Sequence, residues 1–149
     1  MNKTFKHFKE MITEVLPLKE EQAERLEAPI KEGKWSIREI VAHLYGWDQF
    51  NLDTMVPNME NQASLSVFPD HDSFNEKTLR SVENKSSYEL IEMFMATREE
   101  LVNALTKIEP SARFHIGEGK RAFSAESFTK IFVKHDAHHI KQIKDKLSQ

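Results

Sequence analysis

The chain has 149 residues, 21 Lys and Arg against 24 Asp and Glu, and a net charge of -3, a size that suits one packed domain and is short for two. Without a basic excess it argues against a nucleic-acid partner, since phosphate neutralisation draws on a basic surface. The chain contains no cysteine, which excludes disulfides, thiolate ligands and a catalytic thiol. No apolar run approaches the length of a membrane span, and the opening segment MNKTFKHFKEMITEV carries charge throughout, unlike a signal peptide. The expectation is a cytoplasmic protein without a membrane partner.

Four glycines and five prolines punctuate a chain whose apolar residues recur at helical spacing. The first helix is expected from Asn2 to Leu16, with Phe5, Phe8, Ile12 and Val15 on one face. Pro17 interrupts it, and Lys19 to Leu26 reads as a short helical piece. A loop through Pro29 and Gly33 leads to Ser36, an N-cap with Glu39 three residues on, as in a capping box. The second helix then runs to Val56, before Pro57. The connection from Pro57 to Lys85 holds a short helix over Asp72 to Val82, and its length marks it as functional or as a crossover. Ser86 and Glu89 form a second capping box, opening a third helix that carries Leu90, Ile91, Phe94, Leu101, Val102, Leu105 and Ile108 and ends at Pro110. Ser111 to Ala122 is left between a loop and a short hairpin. From Ser124 a fourth helix runs toward the C-terminus. The pattern predicts an all-α four-helix bundle, one domain over residues 1–149.

The fourth helix contains His135-Asp136-Ala137-His138-His139. Residues four apart share a helix face, so His135 and His139 can point at one metal ion. With Phe128 as zero, His135 falls at about -20°, His139 at about +20° and His138 at about -80°, given about 100° per residue. This wheel puts His135 and His139 at the centre of the core stripe and His138 at its rim. A shared divalent cation would satisfy two buried imidazoles at once. A pair of core histidines bonded to carboxylates or carbonyls is the alternative. His43, on the second helix near Ile40, Trp47 and Phe50, is the candidate third ligand, although spacing alone also allows an ordinary core histidine.

Gly33-Lys34-Trp35-Ser36, Glu39-Ile40, His43-Leu44 and Trp47-Asp48 resemble the second-helix signature of the DinB/YfiT-like superfamily. The run from His135 to Ile140, followed by Gln142-Ile143, resembles that family's closing His-x-x-x-His motif, and Phe74-Asn75-Glu76 is similar to stretches in some members. The resemblance implies a four-helix bundle with a long link between helices two and three. It also implies a divalent metal held by His43, His135 and His139. Imidazole ligands suit zinc or nickel, and iron or copper as further options. Lys141 departs from the Gly found there in many relatives.

Three protein ligands with open positions are the arrangement of a catalytic metal, which can lower the pKa of a water or bind an external thiol. The expected function is a metal-dependent hydrolase or a transferase using a low-molecular-weight thiol, acting on a small-molecule substrate. The alternative is a non-catalytic helical module for metal binding or dimerisation, and relatives imply a homodimer. Asp48 and Asp136 are expected at the surface or behind the ligands. His138 reads as a solvated surface residue, with a place behind the ligands or at the rim as the alternative, and Trp47 and Tyr45 line a pocket or pack in the core. Asp70, His71 and Asp72 line the site mouth or form a solvated loop and cap.

Overall fold

Side-chain caps set where the helices begin. In the computed structural model, which describes residues 1–149, Asn2 Oδ1 accepts from the Thr4 and Phe5 amides and opens α1 (Lys3–Glu10). The helix expected from Asn2 to Leu16 is broken at Met11. A short α2 (Ile12–Val15) and a 3-10 turn over Leu16–Glu20 follow, with Pro17 in that turn. Proline lacks the amide proton an α-helix needs, and the chain tightens around it. The piece expected at Lys19 to Leu26 forms α3 (Ala23–Glu27).

The capping box of Ser36 and Glu39 opens α4 (Ile37–Phe50) as expected. Beyond Phe50 the helix widens into a π turn over Asn51–Met55 and closes in a 3-10 turn over Val56–Asn58. Asp70 caps α5 (His71–Ser81), accepting from the Ser73 amide at 3.0 Å. The second capping box opens α6 (Ser87–Thr106), and Ser124 caps α7 (Ala125–Leu147). Helix α4 packs on α6, α6 on α1, α1 on α7 and α7 on α4, which closes an all-α four-helix bundle. No helix is long and apolar enough to cross a membrane.

Helix α5 lies against α4 at Gly46, where a Cβ would stand 2.6 Å from Thr78 Cγ2 and 2.8 Å from Thr78 Oγ1. Thr78 is buried, so it has little room to retreat. Gly46→Ala is therefore expected to push α5 away from α4 and lower stability by about 1–3 kcal/mol. Urea denaturation reads this directly. A wild-type midpoint would mean the two helices separate freely.

The segment Ser111 to Ala122 turns back on itself through an antiparallel bridge between Phe114 and Phe123. It also carries β2 (His115–Ile116), which pairs in parallel with β1 (Ser64–Leu65) from the long connection, Ser64 opposite His115. Strands of two residues are too short to show a period of two, and nothing in the sequence announced them. Their pairing anchors the connection over α7. There the Phe68 ring lies 6.2 Å from Phe128 and 5.9 Å from Phe132, centre to centre.

Two apolar clusters fill the bundle. One contains Phe8, Trp47, Leu101 and Phe128, and the other Val15, Ile40, Leu44 and Phe94. The fully buried guanidinium of Arg98 sits where they meet, 3.7 Å from the Phe8 ring centre and 4.8 Å from that of Phe94.

Candidate metal centre

His43 from α4 meets His135 and His139 from α7. His43 Nε2 and His135 Nε2 are 3.0 Å apart, and one nitrogen from each of the three rings lies within 4.8 Å of the others. The ring centres are 4.7 to 4.9 Å apart. Zinc bonds to imidazole of about 2.0–2.1 Å place tetrahedral ligand nitrogens about 3.3 Å apart, and the observed spacings bracket that value.

The hydrogen bonds behind the rings show which nitrogens are free. The Trp47 indole N–H, which can only donate, meets Asn75 Oδ1 at 3.0 Å and so fixes the orientation of that amide. His43 Nδ1 donates to the same oxygen at 3.0 Å, leaving Nε2 as a bare lone pair. His135 Nδ1 donates to Asp136 Oδ1 at 2.8 Å, and His139 Nδ1 donates to Gln142 Oε1 at 2.8 Å. All three rings thus hold their proton on the outer nitrogen and turn a lone pair inward. Lone pairs of His43 and His135 facing at 3.0 Å repel unless a cation lies between them. The donor set fits a divalent metal ion, with each imidazole oriented from behind in the way metal-ligating histidines are.

The helical wheel is corrected on one point. The histidines do not occupy the centre of the buried stripe of α7. Phe132, Asp136, Ile140 and Ile143 do, while His135 and His139 are half-buried on its flank. A wheel built on apolar residues treats Asp136 as solvated, but Arg98 supplies the countercharge that lets it go inside. Arg98 Nε and Nη2 donate to Asp48 at 2.6 and 3.0 Å, Nη1 donates to the Phe8 carbonyl at 2.9 Å, and Nη2 also bonds Asp136. The surface placement considered for Asp48 and Asp136 is thereby overturned, since both are fully buried. The four bundle helices α1, α4, α6 and α7 all meet at this one guanidinium. Asp136 then passes its constraint to His135.

Burial, and then the neighbouring imidazoles of His139 and His135, push the His43 pKa down to about 3. Burial also lowers that of His139. The His43 ring is therefore neutral, with its lone pair available, well below the pH at which ordinary imidazoles take up protons, and the shift of His139 runs in the same direction. Proton competition for a bound ion is correspondingly weak. Between pH 7 and 5 the metal affinity is expected to fall by well under the roughly three decades per pH unit that three ordinary histidines approach. Competition with a chromophoric chelator across this range measures the slope, and a slope near three would refute the assignment. Burial pushes the Asp48 carboxyl up to about 6 against the pull of Arg98. Burial also opposes the charge on Arg98, but Asp48 and Asp136 outweigh it and hold its pKa above the usual value.

The sequence model of the DinB superfamily matches residues 5–143, a span that takes in both histidine motifs. The chain belongs to the DinB superfamily. Among solved structures it is similar to YfiT from Bacillus subtilis, described as a probable metal-dependent hydrolase with an unusual four-helix bundle topology. The two share 17% identity over 97% of this chain and 83% of that one, with a TM-score of 0.68. At this identity the likeness is one of fold. No curated protein matches.

In this DinB-superfamily chain the remaining candidates fall in different places. Trp47 lines a cavity of about 240 Å³ beside the histidines, whereas Tyr45 packs against the second apolar cluster. His138 is exposed, its ring 5.3 Å from that of His139 and outside the convergent set. Asp70 is the α5 cap and Asp72 is exposed, while His71 borders the cavity. Lys141 points outward to Asp145. Sequence reasoning missed Arg98, although a charge four residues after Phe94 and three before Leu101 interrupts an apolar stripe. It gave Trp35, whose ring lies 4.9 Å from His43, and Asn75 no role beyond the resembling segments that contain them.

Proposed function

We propose that the chain is a metal-dependent enzyme of small-molecule chemistry, with His43, His135 and His139 holding a divalent ion. The observation that carries this reading is the convergence of three imidazoles, one nitrogen of each within 4.8 Å of the others, while Nδ1 of each ring is bonded to an accepting oxygen. The description of YfiT as a probable metal-dependent hydrolase supports it. Imidazole donors suit zinc or nickel, and iron as a third choice. With three protein donors, such an ion keeps open positions in which it supplies Lewis acidity and lowers the pKa of water or of a low-molecular-weight thiol.

The chain's own residues hold and shape this site. Asn75, Asp136 and Gln142 orient the rings, and the apolar cavity beside His43 and His135 receives the substrate and limits water. Asp136 is committed to His135 and Arg98, and Asp48 to Arg98, so neither is free to act as a general base. The reaction is hydrolysis, or transfer of an electrophilic group to a thiol.

The test uses untagged protein reconstituted with zinc or nickel, assayed on a panel of small esters and amides and on thiol addition to small electrophiles. Turnover should vanish on chelation, return with metal, and vanish in His139→Gln while the helical circular dichroism persists. Turnover indifferent to both treatments would overturn the reading. Chelation that melts the bundle, with no thiol or azide ever binding the ion, would instead identify a non-catalytic helical module.

A further inference from the structure

The cavity beside the histidines has walls of two kinds. Trp47, Phe68, Ile131 and Phe132 form an apolar chamber of about 240 Å³, with His43 and His135 at one side. A dry apolar cavity of roughly 150 Å³ accommodates benzene, so this chamber accepts one aromatic ring or a branched alkyl group with its first substituent. It is smaller than the roughly 300–1,000 Å³ of sites for drug-sized ligands. One polar side chain stands on the wall apart from the convergent set. His71, the first residue of α5, is exposed and sets its ring edge-on to Trp47 at 5.2 Å. The Asp70 cap and the Phe74 amide bond to the Asp70 carbonyl fix its backbone.

We infer that the site selects small amphiphilic molecules: a compact aromatic or branched apolar group held among Trp47, Phe68, Ile131 and Phe132, one donor atom toward the three histidines, and a polar or anionic end beside His71. The inference deepens the metal-enzyme reading by assigning its substrate class. Ile131 and Phe68 are specificity residues in it, and His71 binds the far end of the substrate. Apolar burial of a ring favours binding, while a small polar thiol leaves the chamber to water.

Cobalt-loaded protein titrated with thiol probes and followed by visible absorption tests this class. Benzyl mercaptan is expected to bind at least about tenfold tighter than 2-mercaptoethanol, and Ile131→Glu, on the half-buried flank of α7, to reduce that preference below about threefold. Equal affinity for the two thiols would overturn the apolar chamber. His71→Ala should weaken 4-(mercaptomethyl)benzoate severalfold and leave benzyl mercaptan within about twofold. An unchanged ratio would overturn the role of His71. If cobalt does not bind, the metal reading fails, and the metal-free chain still reports on the chamber. Toluene should shift the NMR signals of Ile131 and Phe132, and no shift up to its solubility limit would overturn the inference.

Discussion

Arg98→Met is expected to lower the unfolding free energy by about 3–5 kcal/mol at pH 7, the range seen when one partner of a buried ion pair is removed. The guanidinium is fully buried and serves two buried carboxylates and the Phe8 carbonyl, so its loss leaves two uncompensated charges in the core. The deficit has a definite pH dependence. The Asp48 pKa already stands at about 6 with Arg98 in place, and without it the native state holds its proton more tightly than the unfolded chain does. A raised native pKa gives stability at low pH that is lost as pH rises through it. The variant should therefore recover toward pH 4 and weaken progressively as pH rises through the Asp48 pKa, which without Arg98 lies above about 6. Urea denaturation at several pH values measures this, and a variant within about 1 kcal/mol of wild type at pH 7 would refute it. Replacing Arg98, Asp48 and Asp136 together by apolar residues should restore much of the stability while leaving His135 without its acceptor.

His43→Ala is expected to weaken zinc or nickel binding by well over about a hundredfold, because it removes a ligand outright. Asn75→Leu should fall below it, at about 10–100-fold, the usual effect of losing a residue that orients a ligand. His138→Ala should leave affinity unchanged, since its ring lies outside the convergent set. Competition with a chromophoric chelator ranks the three variants. If Asn75→Leu or His138→Ala matched the loss in His43→Ala, the roles assigned to these residues would be wrong.

The bundle was legible because its signals are local. Ser36 with Glu39 and Ser86 with Glu89 each announce a helix start within four residues, and both boxes are formed. The histidine set was legible as a spacing of four on α7 joined to a resemblance at His43. The buried polar knot was not, because burial of a charge depends on a partner far along the chain. Asp136 goes inside only because Arg98 does, 38 residues earlier. The same holds for Asn75, whose amide joins α5 to His43 across 32 residues, and for the two-residue strand pair. A wheel that scores side chains one at a time places such residues at the surface. That is how it misjudged the flank on which His135 and His139 stand.

The most direct test of the metal centre is metal analysis with X-ray absorption on untagged protein, wild type beside His43→Ala and His135→Ala. Wild type should hold one divalent ion per chain with three imidazole nitrogens in its coordination shell, and both variants should lose it while remaining helical. Wild-type protein that takes up no ion, or variants that keep a full equivalent, would contradict the three-histidine centre.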